Sequence, residues 1–115
     1  MLFEAKNVDR HFYWEKLDGF LPRRIIDCHT HVWLSKFRLD IPIATRGPTW
    51  PLRVAEDNSL ADLQATYELL LPGHAVTPVV FGIPERNYDL DRGNDWVSTL
   101  AAGAGLPALI VTQPA

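Results

Sequence analysis

The sequence predicts an α/β fold of about three parallel strands with intervening helices, preceded by a short helix. Strand-like and helix-like segments alternate along the chain, which is the pattern of βαβ units and a parallel sheet. The strand-like segments "AVTPVVFGIP" and "PALIVTQPA" are apolar almost throughout, as strands covered on both faces are. The composition, 47% hydrophobic and 22% charged with a formal net charge of −3, is that of an ordinary globular domain.

Each element follows from local signals. "NVDRHFYWEKLDGFLP" reads as a helix with Asp9 as N-cap, Gly19 as stop and Pro22 closing it. Tyr13, Leu17 and Phe20 would form its apolar face. "RRIIDCHTHVW" reads as the first strand, rich in β-branched residues at Ile25, Ile26 and Val32. Residues 34–57 contain Pro42, Gly47, Pro48 and Pro51 without a period, and read as a long loop.

A helix over residues 60–71 follows. Ser59 and Asp62 have the spacing of a capping box, and Leu60, Leu63, Tyr67, Leu70 and Leu71 form one apolar face. Pro72 and Gly73 end it. "AVTPVVFGIP" is the second strand and "ERNYDLDRG" a loop. A further helix is expected over residues 95–104 with Asn94 as its cap, and "PALIVTQPA" is the third strand.

Two helices cover one face of such a sheet and leave little for the other. The expectation is a single incomplete (β/α) domain over residues 1–115, with residues 1–22 as an N-terminal helical extension within it. It reads as the first part of something larger.

Several function classes lack support. No basic run or aromatic–basic pattern points to nucleic acid. No apolar run approaches the ~18 residues that span a bilayer, and the N-terminus is too charged for a signal peptide. One cysteine, Cys28, cannot form an internal disulfide. A cytoplasmic protein without a membrane or nucleic-acid partner is therefore expected.

The informative stretch is "IIDCHTHVW". In a regular strand Asp27, His29 and His31 share one face, and Cys28 and Thr30 the other. The imidazoles lie at the strand's C-terminal end, where parallel α/β folds bind ligands. Burying a carboxylate and two imidazoles together is costly unless they are paired or bind a metal. A divalent cation meets that condition, with His29 and His31 as ligands. Asp27 lies about 7 Å deeper at ~3.3 Å per residue. It suits orienting a ligand better than completing the shell, though it is itself a possible ligand.

This motif, Asp-x-His-x-His after an apolar run, resembles the first strand of the amidohydrolase superfamily. The long loop and element order most resemble its amidohydrolase-related branch of metal-dependent hydrolases and decarboxylases. The resemblance spans residues 24–115 in architecture but only Asp27, His29 and His31 as a specific motif. It implies the N-terminal portion of a (β/α)8 TIM barrel, in which His29 and His31 bind zinc or another divalent ion such as manganese. It also implies hydrolysis or non-oxidative decarboxylation of a small carboxylated or carbonyl substrate. The family's later ligands and its catalytic aspartate lie on strands four to eight. No catalytic residue is therefore assigned in this chain, and the 115 residues by themselves are expected to be inactive.

Other residues carry less. Arg46 or Arg53 could hold a substrate carboxylate and Trp50 could wall a pocket, although a solvated loop packed by one aromatic is the favoured account of them. Arg86 and Asn87 read as turn residues. His74 reads as complementing a helix C-terminus, His11 as a surface residue, and Cys28 as core.

Two further readings compete. PHP-type phosphoesterases and TatD-like nucleases also open with His-x-His on a strand, but need ligand clusters that this sequence lacks. A non-catalytic truncated barrel fragment, or a binding or assembly module, is the other. Exposed apolar surface would then drive homo-oligomerisation, or be covered by the remainder of a barrel.

Overall fold

A computed structural model describes residues 4–41 and 54–113. The elements are α1 (Asn7–Phe12), β1 (Arg24–His31), α2 (Leu60–Leu70), β2 (Ala75–Phe81) and α3 (Leu90–Ala104). The mixed helix–strand composition agrees with the α/β expectation. β1 and β2 pair in parallel, with Arg24 opposite Ala75 and His31 opposite Phe81.

The third strand does not form as expected. Among the described residues the sheet has two strands. Pro107–Val111 runs beside β2 but meets it only as an isolated parallel bridge between Val80 and Ala108. Val80 N–H donates to Pro107 O at 3.0 Å, and Leu109 N–H donates to Val80 O at 3.0 Å. Beyond that bridge, Val111 is held by a side chain. Asn94 donates from Nδ2 to Val111 O at 2.9 Å and accepts from Val111 N–H at 3.0 Å. Asn94 therefore mimics a neighbouring strand and is not a cap.

The cap of α3 is Asp89, which accepts from Arg92 N–H at 3.1 Å, so the helix begins well before the expected residue 95. Its C-terminus is a Schellman motif. Gly105 takes φ 65°, and Leu106 N–H reaches Ala101 O at 2.9 Å. Leu106 then packs on the main core. At α2 the capping box is present. Asp62 N–H donates to Ser59 Oγ at 3.2 Å, and Ser59 N–H donates to Asp62 Oδ2 at 3.0 Å. α2 buries Leu60 and Leu63, whereas Leu70 is exposed.

The N-terminal helix is shorter than its period suggested. α1 is capped at Lys6, and Asp9 is its third residue, accepting from Lys6 N–H at 3.2 Å. The chain then widens into a π-helical turn at Tyr13–Leu17. That shift of period buries Tyr13 and leaves Phe20 exposed, against the expected common face. Tyr13 Oη donates to Pro72 O at 2.7 Å and ties this segment to the turn before β2.

Two apolar clusters fill the covered side of the sheet. Val32, Leu60, Leu63, Val80, Val97 and Ala101 form one. Trp33, Phe37, Ala55, Ile83 and Tyr88 form the other, beyond the C-terminal ends of the strands. Trp96 packs against both. Val32, Val80 and Val97 are fully buried, each worth about 1.5–3 kcal/mol of transfer free energy. Among the described residues the opposite sheet face is open, with Ile26 74% exposed. No helix among the described residues is long and apolar enough to cross a membrane.

Candidate metal centre

β1 is not a regular strand. Asp27 stands opposite Pro78, but Thr30 stands opposite Val80, so three steps on β1 match two on β2. This is a β-bulge, and an extra residue reverses which face the following side chains occupy. Pro78, opposite Asp27, does not cause it. Its missing N–H lies on the other edge, because Ala75 and Phe81 bond towards β1 whereas Val80 bonds towards Pro107–Val111, so Pro78 limits pairing on that outer edge and takes no bond from β1.

The bulge corrects the expected shared face. Pro78 and Val80 are the buried positions of β2, so their partners Asp27 and Thr30 lie on the helix-covered side. Tyr67 on α2 confirms the placement, since its Oη donates to Asp27 Oδ2 at 2.9 Å. His29 and His31 lie on the open side, both edge-on to Phe81, with ring centroids 5.4 and 4.4 Å away. Asp27 therefore does not share their face. The same bulge leaves Cys28 exposed instead of in the core.

The two imidazoles meet. Nε2 of His29 lies 3.2 Å from Nε2 of His31. His31 Nδ1 lies 2.8 Å from Gly82 O. A carbonyl can only accept, so Nδ1 carries the proton and Nε2 of the neutral ring presents a lone pair. Without a metal, His29 Nε2–H donates to that lone pair. The end of the strand is braced by Asn58, whose Nδ2 donates to His31 O at 2.8 Å.

Asp27 acts on His29 through the backbone. His29 N–H donates to Asp27 Oδ1 at 3.1 Å, a short turn closed across the bulge. Burial raises the Tyr67 phenol well above its ordinary range, and its bond to the Asp27 carboxylate raises it further.

The remaining candidates are dispersed. Arg46, Trp50 and Arg53 lie outside the described residues. His11 is exposed and pairs with Glu15 at 3.2 Å. The His74 side chain is fully buried. Its Nδ1 donates to Pro22 O at 2.9 Å, and its Nε2 faces Asp18 Oδ1 at 3.6 Å. It thus clasps the N-terminal segment and does not complement a helix end. Asn87 is buried, and its carbonyl accepts from Leu39 N–H at 2.7 Å, consistent with a turn role.

Tyr67, Asn58 and Gly82 contribute to the site without having been marked by sequence. Tyr67 was legible only as one position of an apolar helix face. Glu85 also went unmarked. It lies in the loop after β2, and burial raises its carboxyl while Arg38 opposes the rise. Among the described residues, no group of three or more His, Cys, Asp or Glu side chains is gathered in metal-binding range. No family model, curated protein or solved structure matches the chain.

Proposed function

We propose that this chain supplies the first metal-ligand strand of a divalent-metal-dependent hydrolase or non-oxidative decarboxylase. The reading extends to fold: the parallel βαβ unit would be the N-terminal portion of a (β/α)8 barrel related to the amidohydrolases. One observation carries the proposal. The Nε2 atoms of His29 and His31 are 3.2 Å apart, and Gly82 O occupies Nδ1 of His31. Two imidazole nitrogens bound to zinc at ~2.0–2.1 Å with tetrahedral angles stand ~3.3 Å apart. A ligand histidine that donates its other N–H to a carbonyl is the usual arrangement around such ions.

Zinc, manganese or a similar ion would supply polarisation of a small carboxylated or carbonyl substrate. The chain's own part is to converge two neutral imidazoles at the open face and to fix the tautomer of one. It supplies neither a third ligand nor a general base among the described residues. The remainder of a barrel would cover the open face and supply both. A reducing cytoplasmic setting suits the lone, exposed Cys28.

The direct test is calorimetric titration of the chain with Zn²⁺, Mn²⁺ and Co²⁺, followed by assays against ester, lactone, amide and aromatic-acid substrates. Weak binding that disappears in His29→Ala and His31→Ala, with no turnover, is the expected result. Binding unchanged in both variants would end the metal reading. Turnover that vanishes with His29→Ala would show the chain to be a complete catalyst.

A further inference from the structure

His31 and His29 are held by different means. His31 is pinned through its ring, by Gly82 O and by Phe81. His29 is exposed, and among the described residues its ring has one polar partner, His31 Nε2. Beyond that partner and the edge of Phe81, its placement depends on its backbone. That backbone sits in the bulge, where His29 N–H is held by Asp27 Oδ1 at 3.1 Å.

Asp27 is in turn held from the other side of the sheet. Its second oxygen accepts from Tyr67 Oη at 2.9 Å, across 40 residues of sequence. The carboxylate is thus gripped at both oxygens, by the helix and by the strand. Tyr67 rests against the cluster of Val32, Leu60 and Leu63, so its ring position is set by core packing. A long connection runs from the core through α2 and Asp27 to the backbone of His29.

We propose that Tyr67 is a positioning residue, which through Asp27 fixes the bulge and so holds the imidazole of His29 beside His31. Tyr67 touches neither imidazole. Removing its hydroxyl frees one carboxylate oxygen, loosens the turn at His29 and lets the two Nε2 atoms drift apart. Groups that orient metal ligands in this indirect way change metal affinity by about 10–100-fold when removed. The consequence for metal binding rests on the function proposed above. The placement of His29 does not.

The test therefore has two readouts on the full chain. The first is hydrogen exchange of the His29 amide by NMR without metal. The second is the dissociation constant for Co²⁺. Tyr67→Phe should speed exchange at His29 and weaken Co²⁺ binding about tenfold. Asp27→Asn, whose oxygen still accepts from His29 N–H and whose amide nitrogen can donate to Tyr67 Oη, should stay near the wild type in both. Asp27→Ala should match or exceed Tyr67→Phe, and Tyr67→Phe should add nothing in the Asp27→Ala background. Phe37→Leu, a packing loss in the separate cluster of Trp33, Ile83 and Tyr88, should lower the melting temperature and leave both readouts unchanged.

Wild-type exchange at His29 in Tyr67→Phe would overturn the proposal, as would additive effects in the double variant. If the wild-type chain takes up no Co²⁺ while the exchange data follow the pattern above, the metal reading falls and the positioning role stands. A loss of melting temperature in Tyr67→Phe without either change would assign Tyr67 to packing and overturn the inference.

Discussion

The Nδ1–H of His31 donates to the carbonyl of Gly82 at 2.8 Å. That bond turns the Nε2 lone pair towards His29, and it exists because His31 stands opposite Phe81, one residue before Gly82. Replacing His31 therefore removes both a ligand and the fixed tautomer. His31→Gln keeps a polar side chain but not two ring nitrogens on opposite edges. It should abolish Co²⁺ binding as fully as His31→Ala, with little change in melting temperature. Retained affinity in His31→Gln, measured by calorimetry, would contradict a role as imidazole ligand.

At α2 the capping box makes a separable contribution. Ser59→Ala should cost about 1 kcal/mol. The bonds from Ser59 also hold the Asp62 carboxyl below its ordinary range. A carboxyl lowered in the folded state adds stability above its unfolded pKa, near ~3.9, and that stability is lost as pH falls through the folded value. Ser59→Ala should therefore flatten the acid limb of a stability–pH curve. Urea midpoints collected across the acid range would show it, and identical acid limbs would refute it.

Two glycines of α3 should respond in opposite directions to alanine. At Gly93 an added Cβ would lie 2.6 Å from Tyr88 Cε1, and the Tyr88 ring is buried. The helix-propensity gain is about 1 kcal/mol. Overpacking against a rigid ring costs about 1–3 kcal/mol and wins. At Gly103 nothing lies within 4 Å of the added atom. Gly93→Ala should lower the melting temperature and Gly103→Ala should raise it. A stabilised Gly93→Ala would mean that the Tyr88 ring can give way.

These responses show what the sequence could convey. Ser59, Asp62 and Pro72 are local signals, and the helix they bound formed nearly as its pattern indicated. The His29–His31 pairing was also legible, because two residues spaced by one share a face on either side of a bulge. The placement of Asp27 was not legible, because the expectation assumed an unbroken two-residue period through Cys28. Pro78 in the middle of β2 gives no warning of it, because its nitrogen faces the outer edge, where Val80 meets Pro107–Val111. The missing third strand has a similar cause. "ALIV" has strand character, but its neighbour on one side is the Asn94 side chain, and propensity does not report partners.

Alkaline pH should unfold the chain as half-buried Tyr67 and buried Tyr88 ionise. Burial raises both Tyr67 and Tyr88 above the ordinary phenol range. A raised folded value gives stability that is complete below the unfolded pKa, near ~10, and is lost as pH rises through the folded value. Absorbance at the tyrosinate band should therefore rise in step with loss of circular dichroism for these residues. Tyr88→Phe should shift the alkaline transition to higher pH, less any loss from its bond to Leu34 N–H. Full ionisation of all tyrosines with native circular dichroism would show that these rings are not protected.

The open sheet face supplies the last prediction. Ile26 is 74% exposed on it, and Leu109 and Ile110 along the Pro107–Val111 edge are 53% and 70% exposed. The other edge of β1 carries no partner strand among the described residues. Clustered apolar surface and bare strand edges both favour association. The chain on its own should therefore form dimers or larger species, and light scattering should show their mass falling on dilution. Ile26→Lys places a charge on the apolar face at a site where a surface change costs within about 0.5 kcal/mol of stability. It should shift the population towards monomer without lowering the melting temperature. A wild-type chain that is monodisperse and monomeric, and binds no apolar dye, would show that this face needs no cover. The case for a larger surrounding barrel would then lose its support from packing and rest on the two histidines alone.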